Sequence, residues 1–210
     1  WDWFYYAEKL RKQKYNLDEE MLRPYFALEN VRSGVFFLAN RLYGITFRPI
    51  VVPVYHPEVT AFEVLDADES HLGVLYFDFF PREGKGQGAW CGNYVEQTYR
   101  DGERVAPVVS IVANFTRPTG DNPALLTLDE VETLFHEFGH ALHFLFHDVK
   151  YRGLSEVEGD FVELPSQVME NWAFNPEVLK QYAVHYRTGD VMPEALMARS
   201  PAANSSTRAS

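Results

Sequence analysis

The sequence predicts an α+β fold that is mainly helical and carries a small β-sheet. Apolar residues recur at helical spacing in two long stretches, residues 28–43 and 127–147. Between them the period changes, and segments rich in β-branched and aromatic residues alternate with turn signals. These segments predict strands over residues 46–52, 60–65, 73–80, 89–94 and 105–115.

The helices that precede the strands are predicted from their apolar stripes. A first helix is predicted over residues 1–13 from Trp3, Tyr6 and Leu10, which stand at helical spacing. A second is predicted over residues 28–43 and ends at Gly44, because glycine is common just after a helix. We expect its stripe to face the core; the members are Val31, Val35, Leu38, Ala39 and Leu42.

Two turn regions between the strands are similar to ligand-binding loops only superficially. The acidic segment 66–70 lacks the glycine and the terminal glutamate that a calcium loop needs, so it predicts a solvated hairpin turn. Residues 81–88 contain several glycines but do not match a P-loop. We interpret them as the turn that leads into the strand over 89–94.

The stretch from Thr127 to His147 predicts a capped amphipathic helix. Thr127 followed by Glu130 fits a capping box, in which each side chain binds a free amide of the first turn. The apolar stripe consists of Leu134, Phe138, Ala141, Leu142 and Leu145. Gly139 lowers helix propensity, and we expect it to leave room for close packing beside a metal.

This helix contains an H-E-x-x-H motif at residues 136–140. Positions four apart lie about 40° apart around a helix and roughly 6 Å along it, so His136 and His140 can point at one metal ion. Glu137 is rotated by about 100° from His136 and is expected to flank the metal as a general base. Glu132, one turn earlier, is expected to accept the proton on the other ring nitrogen of His136. A bare motif match leaves open an ordinary amphipathic helix with histidines at its polar edge.

A candidate third ligand lies in a further predicted helix over residues 161–172. Its apolar residues fall on one side and are Phe161, Leu164, Val168 and Trp172. Glu163 near its start would complete a His-His-Glu site with the fourth position free for water, as catalytic zinc requires. Spacing alone does not choose Glu163 over the nearby carboxylates Glu156, Glu158, Asp160 and Glu170.

Residues 135–143, FHEFGHALH, and residues 160–167, DFVELPSQ, resemble the two signature segments of the M3 (thimet oligopeptidase) family of zinc metallopeptidases. Shorter matching segments are 22–26, 53–57, 88–93 and 185–189, and the likeness extends to about residue 198. The resemblance implies that His136, His140 and Glu163 bind one zinc ion and that Glu137 is the catalytic base.

The resemblance also implies a zincin-like catalytic segment that takes short unstructured peptides. Within the family the likeness is greatest to bacterial peptidyl-dipeptidases, which implies release of C-terminal dipeptides. A strand near Gly88, Ala89 and Trp90 is expected to pair with an extended peptide, since such pairing gives affinity through the main chain. An ordinary hairpin is the alternative.

The family pattern is matched only in part. It implies a long N-terminal helical part and a downstream tyrosine and histidine that stabilise an oxyanion, none of which this sequence matches. We interpret residues 1–199 as a partial catalytic domain that needs the missing parts of the same protein and is poorly active alone. Residues 200–210 are interpreted as a non-native or disordered tail. The alternative function is a catalytically incomplete fragment that binds zinc or peptide.

Composition excludes several other classes of function. The formal net charge of −11, without a basic stripe, argues against a nucleic-acid partner. No apolar run is long enough to span a membrane, and the first residues do not form a signal peptide. The single cysteine, Cys91, excludes an internal disulfide and fits a reducing compartment, so a cytoplasmic location is expected.

Overall fold

A computed structural model describes residues 2, 6, 9 and 19–197. Apart from the first three of these, the helix predicted over 1–13 lies outside the described residues, and so does the predicted tail over 200–210. Within the described part of the chain, no helix has both the length and the apolar character needed to cross a membrane.

The described residues form helices and a small mixed sheet, which confirms the α+β prediction. The helices are α1 (Glu19–Leu22), α2 (Leu28–Tyr43), α3 (Leu128–Leu145), α4 (Leu164–Ala173), α5 (Pro176–Tyr182) and α6 (Glu194–Met197), and a 3-10 turn covers Arg23–Tyr25. The strands are β1 (Thr46–Ile50), β2 (Thr60–Leu65), β3 (His71–Asp78), β4 (Trp90–Val95), β5 (Thr98–Arg100), β6 (Glu103–Val105) and β7 (Val108–Val112).

Five of the strands form one sheet in the order β1-β2-β3-β7-β4. Neighbouring strands are antiparallel except β3 and β7, which run parallel. β5 and β6 form a separate two-stranded hairpin. Among the described residues β4 pairs only with β7, so it forms one edge of the sheet.

The core lies between the sheet and the two long helices. α3 packs against β3, β4 and β7, and α2 packs against β1 and α3. Phe36 of α2 stacks on Phe47 of β1 with ring centroids 4.0 Å apart, and Phe138 of α3 lies 5.8 Å from Phe47. Burying one such ring fully contributes about 1.5 to 3 kcal/mol, so these contacts fix α3 on the sheet.

The ends of the two long helices are as predicted. The Thr127 hydroxyl accepts from the amide of Glu130, whose carboxylate accepts from the amide of Thr127, so the capping box is confirmed. α2 ends at Gly44, which has a positive φ of 77° that favours glycine. The predicted stripe of α2 is buried except for Leu42, which is 41% exposed.

The acidic segment 66–70 forms the predicted exposed turn, closed by a hydrogen bond between the residues at its two ends.

The single strand predicted over residues 105–115 is wrong. The structure has two strands there, β6 and β7, which are separated around Pro107. Proline has no N–H to give to a ladder. The carbonyl of Pro107 accepts from the amide of Val74, so the chain enters the sheet as β7 just after it.

The helix predicted over 161–172 begins later than expected. It starts at Leu164, because Pro165 suits the first turn of a helix, where no N–H is needed. Of the four apolar residues expected to share a side, Phe161, Leu164 and Val168 are 46%, 50% and 45% exposed, whereas Trp172 is partly buried against the core. The buried residues of α4 are instead Ser166, Met169 and Ala173.

A buried ionic network lies behind the loop that leads to β4. Asp78, at the end of β3, is 2% exposed. It accepts hydrogen bonds from Tyr55 at 2.9 Å, from both terminal nitrogens of Arg82 at 2.7 and 2.8 Å, and from Lys85 at 2.9 Å. Burial alone would raise the pKa of Asp78, but the hydrogen bonds from Arg82, Lys85 and Tyr55 outweigh it and hold the pKa at about 2.

Lys85 carries this network into the backbone. Its side chain is 3% exposed, and its ammonium also donates to the carbonyls of Asp78, Phe80 and Ala113. Asn114 donates to the carbonyls of Gly86 and Gly88, each at 2.8 Å. The glycine-rich loop is therefore held to the end of the sheet through both its side chains and its backbone.

We expect Asp78→Asn to lower the free energy of unfolding by about 3–5 kcal/mol, because it leaves Lys85 buried without its counter-charge. Urea unfolding at neutral pH measures the loss. The folded pKa of Asp78 lies below the unfolded value of about 3.9. Its stabilisation is therefore present above the unfolded pKa and is lost as pH falls through about 2, so the difference between variant and wild type should shrink in acid. Glu83→Gln, in the exposed part of the same loop, is the control; equal stability of all three proteins at neutral pH would contradict the prediction.

Candidate metal centre

Three ligand-type side chains converge at the middle of α3. The rings of His136 and His140 lie with their centroids 5.0 Å apart, as expected for residues one turn apart on a helix. The Nε2 atoms of both lie 3.2 Å from Oε2 of Glu163. One ligand atom from each of the three residues lies within 4.8 Å of the others, and this is the one such cluster among the described residues.

Glu163 reaches the histidines from the residue that precedes α4. Its carboxylate accepts a hydrogen bond of 2.9 Å from the hydroxyl of Ser166, which also donates to its carbonyl at 2.8 Å. The Ser166 hydrogen bond is the main cause that holds the pKa of Glu163 below its ordinary value, and the neighbouring imidazoles of His140 and His136 act in the same direction. The carboxylate is therefore ionised and oriented, as a metal ligand must be.

Gly139 lets α4 approach α3 closely enough to deliver Glu163. A Cβ placed on Gly139 would lie 2.5 Å from the carbonyl oxygen of Pro165 and 2.6 Å from Cα of Ser166. These are backbone atoms that cannot turn aside. The close packing expected at Gly139 is confirmed, and the partner is the first turn of α4.

We expect Gly139→Ala to destabilise the chain by about 1–3 kcal/mol, although alanine is the better helix former, because the added methyl overlaps the backbone of α4. Zinc affinity should fall with it, since α4 must move and takes Glu163 along. Urea unfolding without metal and chelator competition with zinc measure the two effects. Gly92→Ala, where an added Cβ meets no atom of residues 19–197 within 4 Å, is the matched control. Wild-type zinc affinity in Gly139→Ala would contradict the prediction.

The donor atoms of the cluster fit zinc. Two imidazole nitrogens and one carboxylate oxygen are the ligand set of many catalytic zinc sites. Burial is the main cause that lowers the pKa of His140, which favours the neutral ring, the form that binds a metal. The rival carboxylates Glu156, Glu158 and Asp160 are not part of the described cluster.

The other ring nitrogen of His136 contacts a carboxylate from α4. Nδ1 lies 2.5 Å from Oε1 of Glu170. The sequence hypothesis gave this supporting role to Glu132 on α3, whereas the structure places Glu170 against the ring. Glu170 lies seven residues after Glu163, which is two turns of one helix face. That spacing is the sequence signal that could have identified it.

Glu137 lies beside the cluster and is buried. It is 6% exposed, and burial raises the pKa of its carboxyl, as does the charge of Glu163, while the charge of His136 opposes the shift. Glu137 also faces the sheet: burial, and after it the charge of Glu137, raises the pKa of the Cys91 thiol on β4. The buried carboxyl group of Glu137 therefore acts electrostatically both with the three-residue cluster and with Cys91 on the edge strand.

The other predicted site residues lie at the beginning of this edge strand. Gly88 and Ala89 end the glycine-rich loop, and Trp90 is the first residue of β4. Gly88 has a φ of 84°, a conformation that glycine adopts without strain. Trp90 is 40% exposed. All three therefore lie at the beginning of the edge strand, one residue or more before Cys91.

The remaining histidines lie outside the three-residue cluster. His143 and His147 continue along the polar side of α3 and its end, with ring centroids 4.8 Å apart. Burial lowers the pKa of both. His56 and His71 each face a glutamate at the surface.

Comparison with known proteins matches residues 1–209 to Peptidase family M3. The chain is 49% identical to the dipeptidyl carboxypeptidase of Salmonella typhimurium over 95% of its own length and 30% of that protein. It is 48% identical to the dipeptidyl carboxypeptidase of Escherichia coli, covering 93% of the chain and 29% of that protein. It is 44% identical to oligopeptidase A of Salmonella typhimurium, covering 94% of the chain and 30% of that protein. The chain thus spans about 30% of the length of these relatives.

Proposed function

Because this chain belongs to peptidase family M3, we propose that it carries the zincin-like catalytic segment of a zinc metallopeptidase that cleaves short peptides. The observation that carries the proposal is the convergence of His136, His140 and Glu163, with the buried carboxyl of Glu137 beside them. Two imidazoles and one carboxylate would hold one zinc ion and leave a position open. Zinc bound there would supply a Lewis acid that polarises a carbonyl and lowers the pKa of water.

The role of Glu137 follows from its place and its raised pKa. A carboxylate in this position would take a proton from the attacking water and later give it to the amine nitrogen that leaves. Its burial removes competing solvent and brings its pKa closer to the neutral range in which it must both accept and release a proton. Glu170 would hold the His136 ring in place through Nδ1.

We propose that the substrate is an extended peptide bound along β4. An edge strand offers unpaired backbone groups, and pairing with them gives affinity without requiring one particular sequence. The start of this strand, at Gly88, Ala89 and Trp90, is held by the loop that Lys85 and Asn114 fix. The strand lies next to Glu137, so a peptide paired with it would pass the proposed base.

The two kinds of relative suggest which product to expect. We propose release of C-terminal dipeptides, because the name dipeptidyl carboxypeptidase belongs to the relatives of 49% and 48% identity, whereas oligopeptidase A has 44%. We also propose that residues 1–199 form part of the catalytic domain and act together with further segments of a longer protein. Such segments would cover the exposed apolar side chains of Phe161, Leu164 and Val168.

The test is hydrolysis of N-terminally blocked oligopeptides by the chain, alone and extended by the flanking sequence of its gene. Products are identified by mass spectrometry, with zinc, after chelation, and after zinc is restored. We expect dipeptides from the C-terminus, loss of activity on chelation and recovery with zinc. Internal fragments would favour an oligopeptidase. Zinc and peptide binding without turnover in either protein would favour the non-enzymatic alternative.

A further inference from the structure

The two faces of β4 differ in what they meet. Successive side chains of a strand point to opposite faces of the sheet. Cys91 is paired with the fully buried Ile111 and lies on the face that packs against α3. Trp90 and Gly92 therefore lie on the other face of the sheet. In the β-ladder Trp90 is paired with Val112 and Gly92 with Ser110.

Aromatic side chains stand on this outer face. Trp90 is 40% exposed and Tyr94 is 56% exposed. Tyr94 lies at a shift in the strand register, and its ring meets those of Tyr55 and Tyr76 edge-on, with centroids 6.2 and 6.1 Å apart. These contacts place Tyr94 on the face where Trp90 also lies.

Gly92 makes a notch between the two aromatic residues. A Cβ placed on Gly92 would meet no atom of the described residues within 4 Å, so within this part of the chain the space above the strand is open at this point. Trp90 and Tyr94 stand two residues before and two residues after Gly92 in the strand, and neither ring comes within 4 Å of that Cβ position. The Trp90 indole lies beside the glycine-rich loop, because a Cβ on Gly86 would lie 3.5 Å from the ring. The Gly86 carbonyl is itself held by Asn114.

We propose that this notch at Gly92 seats one bulky apolar side chain of the peptide and sets a preference at that position. The proposal rests on the proposed function, because it assumes that the peptide pairs along β4. In such pairing a peptide residue opposite Gly92 would have its Cβ about 4.5–5.5 Å away on the same face. Glycine leaves that volume empty, and the flanking rings offer apolar surface to an aliphatic or aromatic group.

The surroundings favour an apolar occupant over a charged one. The nearest cations described along the loop, Arg82 and Lys85, are paired with Asp78. A carboxylate on the peptide would therefore have to compete with the buried Asp78 for these two cations. Peptide residues adjacent to the notch would face the opposite way, toward Glu137, so the preference applies to alternate positions.

Binding in a catalytically silenced protein tests the notch directly. Short blocked alanine peptides, each with one phenylalanine at a different position, are titrated by calorimetry into the zinc-loaded Glu137→Gln variant. The same peptides are titrated into Glu137→Gln combined with Gly92→Ala or with Gly92→Val. Thermal unfolding and zinc content of each variant show that the notch was filled without loss of the fold.

We expect one phenylalanine position to bind about tenfold or more tightly than the all-alanine peptide, the size of effect that an apolar pocket gives. Gly92→Ala should reduce that gain and Gly92→Val should abolish it, while all-alanine binding changes by about threefold or less. The idea is overturned if no phenylalanine position gains affinity, if the gain survives Gly92→Val, or if Gly92→Val weakens every peptide equally. Turnover is not needed for this readout, so failure of the peptidase proposal would show separately, as absence of hydrolysis in the protein that retains Glu137.

Discussion

Glu137→Gln is expected to lower kcat by about 10² to 10⁴-fold and to leave zinc binding unchanged. Glutamine keeps the size of the side chain but cannot accept a proton from water. The zinc content should not change, because the described cluster consists of His136, His140 and Glu163 and does not include Glu137. Steady-state rates on a blocked oligopeptide, with zinc measured in the same samples, give both quantities.

The matched control for this variant is Asp129→Asn. Asp129 is an exposed carboxylate in the first turn of the same helix. Its neutral variant should keep kcat within about twofold, since surface substitutions away from a site change stability by only about 0.5 kcal/mol. Equal zinc loss and rate loss in Glu137→Gln would make Glu137 a ligand, and an unchanged kcat would remove its role as the base.

Elements with strong local signals could be predicted from the sequence. The predicted bounds of α2 agree with the structure, because the apolar stripe and the terminating Gly44 are local features of one continuous segment. The capping box at Thr127 fixed the start of α3 in the same way. β2 was also predicted with its observed bounds, since turns flank it on both sides.

Features that depend on distant contacts could not be predicted. The parallel pairing of β3 with β7, which puts β7 between β3 and β4, joins segments far apart in sequence, and no local pattern encodes it. The buried side of α4 likewise depends on a distant contact. Four apolar residues were predicted to share one side of this helix, and three of them, Phe161, Leu164 and Val168, are about half exposed, whereas Trp172 packs against the core. The backbone of α4 meets α3 at Gly139, which no pattern within α4 indicates.

The site residues also differ in whether local sequence or tertiary packing determines their positions. Helical geometry alone brings His136 and His140 together, because both stand on α3. Choosing Glu163 among several acidic residues required the resemblance, since its distance from the histidines is set by how α4 packs on α3. The partner of His136 Nδ1 shows the limit of local rules: spacing within one helix favoured Glu132, and the structure brings Glu170 from α4.

Glu163→Ala is expected to weaken zinc binding by more than about 100-fold, because it removes the carboxylate oxygen that both histidine Nε2 atoms face. Loss of a residue that only supports a ligand typically costs 10–100-fold, so Glu170→Gln, which alters the contact to His136 Nδ1, should fall in that smaller range. Glu156→Ala, an exposed carboxylate in the loop before α4, should bind zinc as the wild type does. Competition with a calibrated chelator measures all three affinities on one scale. The loss of zinc affinity should be largest for the ligand Glu163, smaller for the supporting residue Glu170 and absent for the solvated Glu156. Equal retention of zinc in Glu163→Ala and Glu156→Ala would rule out Glu163 as the third ligand.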